Sequence, residues 1–336
     1  MPQTDSTVRT RPISLPRLLK GKNLGVVLAI LFFAAYPLVI TSPFYVQIII
    51  RVFVYAIAAQ AWNIIGGYAG QVSLCQAVFF GMGAFTSAYL MVHYDIIPWI
   101  GLIAGAILSM VLAVIIGFPT FRLVGRYFAI ATMGLGEIAQ IIVLNTSLLG
   151  GAVGIWLPVL PDSFKYMQFH KSKLPYYYIA FVIAIATYAA VAWLEKSKIG
   201  YYLRAIKADQ QAAESLGIDS RKYKLIAFMI SAAITGIIGG FYANYVLVVD
   251  PFSVLPRSFS SMLLLMSVIG GVGTLWGPLY GAAIVMPLTE LTRGFLGAGG
   301  RGLDVMIYAI LIIIIILFEP QGIQGVIKRV KVRLAR

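Results

Sequence analysis

Long apolar runs constrain the fold of this chain more than any other feature of its sequence. A helix needs about 20 residues to cross the hydrocarbon core of a bilayer, and it satisfies its own backbone hydrogen bonds there. Runs of about that length occur at residues 24–41, 45–66, 72–92, 97–118, 127–145, 175–194, 223–248, 258–275, 277–296 and 303–319. The sequence therefore predicts an all-α polytopic membrane protein with about ten transmembrane helices, eight being the lower bound.

The placement of charge predicts the orientation of these helices. The chain is 60% hydrophobic and only 11% charged, whereas soluble domains carry about 25% charged residues. Most of its 26 Lys and Arg residues lie in the N-terminal tail, residues 119–127, residues 195–224 and the C-terminal tail. With a cytoplasmic N-terminus, alternating spans place all four segments in the cytoplasm, in line with the positive-inside rule. We therefore expect both termini in the cytoplasm, and the net charge of +14 does not indicate a nucleic-acid partner.

The same pattern divides the chain into parts. We expect a basic cytoplasmic tail at residues 1–23, a transmembrane domain at residues 24–320 and a second basic cytoplasmic tail at residues 321–336. The transmembrane domain includes an external loop, 146–174, and a cytoplasmic loop, 195–223. The first apolar run is expected to be an uncleaved span, because its basic region is long for a signal peptide and a clear small-x-small cleavage site is missing.

Residues that could support catalysis or bind a metal are scarce. The sequence has no His-Glu-x-x-His, Gly-x-Ser-x-Gly or P-loop motif. Its single cysteine, Cys75, excludes an internal disulfide and a cysteine-based zinc site, and His93 and His170 are far apart. We therefore expect a protein that is not an enzyme, with no catalytic residues, cofactor or metal site.

Three glycine-rich stretches lie in the apolar runs, at residues 66–85, 235–244 and 269–283. Each contains two glycines four residues apart, which is typical of closely packed membrane helices. The alternative is a broken helix, whose exposed backbone is tolerated in a membrane only where protein covers it or water lines it. The first and third stretches follow the similar openings IIGG, residues 64–67, and VIGG, residues 268–271, which indicates two related halves.

A small set of polar residues is expected inside the spans. Six residues are candidates for lining a pathway: Gly70, Gln71, Ser73, Gln76, Glu137 and Asn145. A carboxylate well inside its run, such as Glu137, must be paired, hydrated or protonated. It either ties two helices together or faces a pathway. Elsewhere we expect Arg51 to extend toward the interface and Glu290 to pair with Arg293.

The cytoplasmic loop contains a polar stretch, AIKADQQAAESLGIDSRKYK, at residues 205–224. Asp209 is a good N-cap, QQAAESL a short helix and Gly217 a good C-terminal stop, while Asp219 or Ser220 can cap the next span. The loop is thus expected to present a short, stiff helix with small side chains, either merely solvated or as a docking site for another protein. The candidate docking residues are Asp209, Gln211, Ala212, Ala213, Glu214 and Gly217.

Together these segments resemble the permease subunits of ATP-binding-cassette importers for branched-chain amino acids, specifically the M-type member of the permease pair. The resemblance covers roughly residues 45–325 and is carried, in the family's order, by GGYAGQVSLCQAVFFGMGAFTSAYL, GRYFAIATMGLGEIAQIIVLN, GGAVGI, SKIGYYLRAIKADQQAAESLGIDSRKYKLIAF and VIGGVGTLWGPLYGA. The loop matches the importers' Glu-Ala-Ala-x-x-x-Gly signature at Ala212, Ala213 and Gly217. Gln211 departs from its first position, and Cys75 stands where the family commonly has Gly.

The resemblance implies a multi-pass protein of the bacterial inner membrane that works in a heteromeric importer. Besides membrane lipid, the partners it implies are a second homologous permease subunit, two cytoplasmic ATPases that dock at the polar loop, and an external binding protein that delivers a hydrophobic amino acid. Related permeases for urea, amides or aromatic acids share these blocks and remain an alternative. A self-sufficient carrier or channel, or a receptor without transport activity, are the alternatives from other classes.

Overall fold

The computed structural model describes residues 42–296 except residue 124, together with residues 31, 33–37, 310, 322–325 and 329. The chain divides into two units, Met1–Ser42 and Pro43–Arg336, and the elements named below belong to the second. Its helices are α1 (Pro43–Asn63), α2 (Gln76–Tyr94), α3 (Pro98–Thr120), α4 (Arg126–Leu144), α5 (Leu174–Lys196), α6 (Lys198–Ala208), α7 (Gln210–Ser215), α8 (Ser220–Val246), α9 (Pro251–Val254), α10 (Arg257–Gly270) and α11 (Gly277–Leu296). Two short strands, β1 (Ile155–Trp156) and β2 (Val248–Val249), pair with each other.

Seven helical segments among the described residues are long and apolar enough to cross a membrane. They are Pro43–Tyr68, Gln76–Tyr94, Pro98–Thr120, Arg126–Leu144, Leu174–Lys196, Ser220–Val246 and Pro251–Gly270, and they match the second to eighth predicted runs. The ninth run, 277–296, forms α11 but is not among the seven. The first and tenth runs, 24–41 and 303–319, lie largely outside the described residues. A multi-pass, all-α protein is confirmed, and the number of ten spans stays a prediction.

Helix α1 lies at the centre of the described bundle and contacts α5, α8, α10 and α11. It is mostly apolar, and 83% of its most apolar window is buried, as expected of a helix surrounded by others. Two polar residues near its C-terminal end, Gln60 and Asn63, are also fully buried. A polar group that leaves water requires a hydrogen-bond partner, and Asn63 finds its partners on another element, described below, whereas among the described residues Gln60 accepts only from Asn63 of the same helix.

Two of the three glycine-rich stretches break their helices. After α1 the chain forms a π-helical turn, Ile64–Tyr68, and residues 69–75 are not helical. Between α10 and α11, residues 271–276 are likewise not helical. Positive φ angles at Gly70 (+71°) and Gly273 (+77°) allow the chain to turn at both places. The broken-helix interpretation is therefore correct for the first and third stretches.

The second stretch, 235–244, is not broken but lies inside the continuous helix α8. Its glycines allow α8 to approach neighbouring backbones, because a Cβ on Gly239 would overlap the carbonyl of Phe80 in α2. In the same way, a Cβ on Gly83 of α2 would overlap the backbone of Gly236. For this stretch the broken-helix alternative is wrong, and close packing of α2 with α8 is the reason for its glycines.

Helix α4 packs far less tightly than the others. Only 11% of its most apolar window is buried, and within the described part of the chain its buried residues are Phe128 and Thr132. An apolar cleft of about 250 Å³ separates it from α2 and α3. A mostly uncovered apolar helix must face lipid or another protein chain.

The external loop predicted at 146–174 is ordered. Its strand β1 pairs antiparallel with β2, Ile155 opposite Val249. Gln168 is fully buried in the loop, where it accepts from the Leu160 amide at 2.8 Å and donates to the Pro158 carbonyl at 2.9 Å. Because β2 follows the C-terminal end of α8, this loop lies at the end of the bundle opposite to the 195–224 loop.

Candidate functional site

The predicted short helix of the polar loop is present as α7. The Asp209 side chain accepts from the Ala212 amide at 3.0 Å, which makes Asp209 its N-cap as expected. Gly217 follows with φ +83°, and the Ile218 amide donates to the Ala213 carbonyl at 3.1 Å. This is the glycine-terminated helix end that the sequence predicted. Asp219 caps α8 by accepting from the Lys222 amide at 3.0 Å.

The side chains that α7 offers to a partner differ from the predicted set. Ala213 is 3% exposed and packs into the chain, so its side chain is not part of the accessible surface here, and its role in docking stays a prediction. Gln211 and Ala212 are exposed, and Leu216 beside them is 83% exposed. Single exposed leucines are common on protein surfaces, so this exposure makes Leu216 available to a partner without by itself indicating one. The accessible residues of α7 and its two ends are therefore Asp209, Gln211, Ala212, Glu214, Ser215, Leu216 and Gly217.

Glu214 joins α7 to the start of α8. Its carboxylate accepts from the Ser220 hydroxyl and, at 3.0 Å, from the Gln210 amide. These two hydrogen bonds, of which the one from Ser220 has the larger effect, lower the pKa of Glu214 below its usual value. Lys224 donates to the side-chain oxygen Oε1 of Gln210 at 2.7 Å and extends the network. Glu214 thus holds the loop in shape.

The two helix breaks meet at the buried end of α1. The Asn63 amide nitrogen donates to the Thr274 carbonyl at 2.9 Å, and its oxygen accepts from the Gly273 amide at 2.8 Å. The two breaks touch, because a Cβ on Gly67 would lie 2.7 Å from the Gly273 nitrogen. From the polar loop, Lys207 donates to the Gly67 carbonyl at 2.7 Å. Both breaks therefore lie at the same end of the bundle as the polar loop.

The structure does not bring the six candidate pathway residues together. Gly70 and Gln71 lie at the first break, and Gly70 is exposed beside Lys207. Ser73 and Gln76 are fully buried, and Gln76 ties α2 to α8 by donating to the Ser231 hydroxyl at 2.8 Å. Ser73 and Gln76 are thus internal packing residues in this arrangement.

The other two candidates belong to α4. Asn145 ends the helix and donates to the Ile141 carbonyl of the same helix at 2.8 Å. Glu137 lies eleven residues after Arg126, about 17 Å along the helix at the usual rise. In a hydrocarbon core of about 30 Å this distance corresponds to the middle of the membrane.

Glu137 forms an ion pair with Arg257, the first residue of α10, with 2.7 Å between Arg Nε and Glu Oε1. The contact is ionic rather than a well-aligned hydrogen bond, since this oxygen has no partner with hydrogen-bond geometry. The Arg257 side chain is 68% exposed and the Glu137 side chain 28% exposed. A small cavity of about 30 Å³, lined in part by Ser260 and Ser261, adjoins the pair.

A second intramembrane ion pair is internal. Arg51 of α1 contacts the Glu290 carboxylate of α11, and their side chains are 28% and 14% exposed. Arg51 was expected to extend toward the interface and Glu290 to pair with Arg293. Both expectations miss a partner that lies 239 residues away in sequence. This pair fastens α1 to α11, because an unpaired charge at that depth is unfavourable.

A family model described as "Branched-chain amino acid transport system / permease component" matches residues 44–316. This chain belongs to that permease family. The match spans every helix from α1 to α11, so the polar loop, both helix breaks and the Glu137–Arg257 pair all lie within the permease.

Individual relatives agree with this assignment. The high-affinity branched-chain amino acid transport system permease protein LivM of Escherichia coli (strain K12) is 28% identical over 293 residues, which cover 80% of this chain and 67% of the relative. LivH of the same organism is 23% identical over 297 residues, covering 81% of this chain and 91% of the relative. A probable LivM of Methanocaldococcus jannaschii is 24% identical over 237 residues, covering 65% and 67%. No solved structure matches the permease.

Sequence reasoning missed three residues of this permease that the structure places at the site. Lys207 and Leu216 have no local signal, since the partner of one lies 140 residues away and the exposure of the other depends on the fold. Arg257 did leave a signal, because it stands at the expected external end of a span, against the positive-inside bias.

Proposed function

We propose that this chain is a permease subunit of an ATP-driven importer for branched-chain amino acids in a bacterial inner membrane. It works beside a second, related permease, with two cytoplasmic ATPases and an external solute-binding protein. The observation that carries the proposal is the family match over residues 44–316. The similarity to relatives named LivM and LivH, both described as branched-chain amino acid permeases, supports a paired arrangement.

The exposed face of α7 is the proposed docking site for an ATPase. Leu216, 83% exposed, supplies an apolar anchor, and the small Ala212 permits a close approach. The helix is fixed at both ends, by Asp209 and by the turn at Gly217, so it can transmit force without bending. Asp209, Glu214 and Gly217 shape this site, and Gln211, Ala212 and Leu216 form its contact surface.

The face that carries Glu137 and Arg257 is the proposed wall of the pathway. A guanidinium at this depth that faces lipid costs about 2.5–3.5 kcal/mol even on the mildest scale, so such groups face water or protein. Arg257 is nevertheless 68% exposed in the isolated chain. The second permease and the water between the two chains are the environment that would accept it. Gly70 and Gln71 belong to the cytoplasmic end of the same proposed pathway.

Uptake in a strain that lacks this chain tests the proposal. We expect restoring the chain to restore uptake of labelled leucine, isoleucine and valine, provided that the binding protein and ATPases are present. Uptake of urea, short amides or aromatic acids, with no uptake of the three amino acids, would contradict the proposed substrate. ATP-independent transport by the purified chain in liposomes would contradict an importer and indicate a carrier or channel.

A further inference from the structure

The polar loop touches the membrane helices through one side chain in particular, that of Lys207. This residue lies two positions before Asp209, the N-cap of α7, so it sits at the base of the proposed docking helix. Its ammonium donates to the Gly67 carbonyl at 2.7 Å. A Cβ on Gly70 would lie 3.0 Å from the Lys207 Cγ, so the stem of the lysine also packs along the first break.

The carbonyl of Gly67 is free to accept this bond because the helix ends there. In an uninterrupted α-helix it would accept from the amide of residue 71. Here the Gln71 amide donates to the Ile65 carbonyl at 2.9 Å instead. Carbonyls at a helix C-terminus carry a partial negative charge, which favours a cation. Lys207 therefore caps the broken end that follows α1.

The second break converges on the same point. A Cβ on Gly273 would lie 2.9 Å from the Gly67 oxygen and 3.1 Å from the Lys207 ammonium nitrogen. Asn63 holds the Gly273 amide at 2.8 Å from the other side. One ammonium group thus lies against both breaks at once, and any shift of Lys207 alters the packing of each.

Helix α6, which carries Lys207, is itself held in place by packing against the rest of the chain. Leu203 and Ile206, on its inner face, are buried, and Tyr202 packs edge-on against Tyr223 of α8 at 4.7 Å between ring centroids. Lys207 is near the C-terminal end of this anchored helix, directly before α7. A displacement of α7 by a docked subunit would therefore first strain the chain at Lys207, where the anchored helix α6 ends.

We propose that Lys207 is the positioning residue that transmits movement of the polar loop to both helix breaks. This inference rests on the proposed function, since it assigns the route by which an ATPase docked on α7 acts on the membrane domain. Its requirement is a cationic N–H donor at this position that bonds to the Gly67 carbonyl and reaches Gly273.

The test compares Lys207→Met with Lys207→Arg in the assembled complex, with Lys198→Met as the matched control. Lys198 is an exposed lysine at the other end of α6. We expect Lys207→Met to reduce the solute imported per ATP hydrolysed by about tenfold, the loss expected for one charge-assisted hydrogen bond. Lys207→Arg and Lys198→Met should keep most of this ratio. An unchanged ratio in Lys207→Met would overturn the proposal.

Chemical rescue keeps the test informative if the methionine variant folds poorly. Lys207→Cys can be alkylated with 2-bromoethylamine, which rebuilds a side chain of nearly lysine length with a terminal ammonium. Lys207 is exposed, whereas the one native cysteine, Cys75, is buried. Recovery of the import ratio on alkylation supports the proposal. Failure to recover in a protein that is alkylated and folded contradicts it.

A readout without solute separates this inference from the proposed function. Amide hydrogen exchange on the full chain in nanodiscs should show faster exchange at residues 66–71 and 271–275 in Lys207→Met, but not in Lys198→Met. Equal exchange in both variants would contradict the inference. A wild-type complex that does not import branched-chain amino acids would contradict the proposed function and leave this exchange comparison unaffected.

Discussion

The polar residues inside the described membrane-spanning part of this chain fall into two groups, those with partners that stabilise the bundle and one accessible pair. Gln76, Asn63 and Arg51 each find a partner on another segment and stabilise the bundle: Ser231 of α8, Thr274 of the second break and Glu290 of α11. Glu137 and Arg257 form the pair that is left accessible. A polar side chain that other residues of this chain cover is thus structural. One that the chain leaves exposed inside the membrane is a candidate for the pathway.

Glu137→Gln tests this pair. If Glu137 were a neutral hydrogen-bonding group, glutamine would replace it with little effect. Because its partner is a guanidinium, the substitution strands a charge, and we expect uptake to fall by about tenfold or more at unchanged expression. Uptake at wild-type level in a folded Glu137→Gln protein would contradict this.

Arg257→Gln in the Glu137→Gln background supplies the control for that prediction. Removing both charges leaves no stranded group, so the double variant should fold as well as wild type and be less impaired than the sum of the two single variants. Strictly additive losses in uptake would show that the two residues act independently.

Glu214 makes the loop sensitive to acid. Its pKa is lowered by the Ser220 and Gln210 bonds, so the stability it gives is fully present above the usual glutamate pKa and is lost as pH falls through the lowered value. A nitroxide on Gln211→Cys should therefore become more mobile only when the pH is lowered below the usual glutamate pKa. The same pH response in Glu214→Gln would show that another group is responsible.

At the scale of elements, glycine has two separate uses in this chain. In α2 and α8 it removes side chains between packed helices, at Gly83 and Gly239. At the breaks after α1 and α10 it permits a turn, at Gly70 and Gly273. The first use supports the fold, and the second shapes the end of the bundle that meets the polar loop.

Gly83→Ala and Gly70→Ala should therefore fail differently. A Cβ on Gly83 would overlap the backbone of Gly236, so we expect a lower yield of folded protein. Gly70 is exposed with φ +71°, where alanine costs about 1–2 kcal/mol, so folded yield should fall little while uptake falls clearly. Transport assays for uptake and gel filtration for the yield of folded protein, applied to the same two variants, check both expectations. Proportional losses at Gly70 would favour a packing role.

Leu216→Asp tests α7 as an element that docks another subunit. The leucine is 83% exposed, so the substitution should leave the melting temperature of the permease unchanged. We expect much less ATPase to co-purify, because an apolar anchor is replaced by a charge. Val159→Asp is the control, a 74% exposed aliphatic residue in the predicted external loop. Equal ATPase recovery with both variants would exclude Leu216 from the interface.

At the scale of the whole molecule, the structure groups the polar segments by end. The 119–127 turn and the start of α8 share a cleft of about 370 Å³ lined by Phe121, Arg122, Arg221 and Lys222. The external loop lies at the opposite end, beside β2. This grouping agrees with the charge pattern, which assigns the basic end to the cytoplasm.

Labelling with a membrane-impermeant maleimide tests that orientation. Val159→Cys should react in intact cells, and Arg122→Cys should react only after the membrane is permeabilised. Both positions are exposed, and the native Cys75 is buried. The reverse pattern of labelling would invert the whole topology.

The sequence by itself determined the features that depend on local chemistry. Apolar length predicted the spans from α1 to α10, and the N-caps Asp209 and Asp219, with the turn at Gly217, predicted the short helix of the loop. These features could be predicted because a helix, its caps and its length involve residues only a few positions apart.

The tertiary structure alone decided which polar residues meet. Lys207 lies against Gly67, Arg257 against Glu137 and Arg51 against Glu290, in each case across more than a hundred residues of sequence. The role of the glycines was also decided by the tertiary structure. Glycines at a helix break and glycines at a contact between packed helices show the same spacing in sequence, and they differ only in the segment that packs against them. Such contacts depend on the order in which the helices pack, and helix packing follows from side chains that local sequence does not bring together.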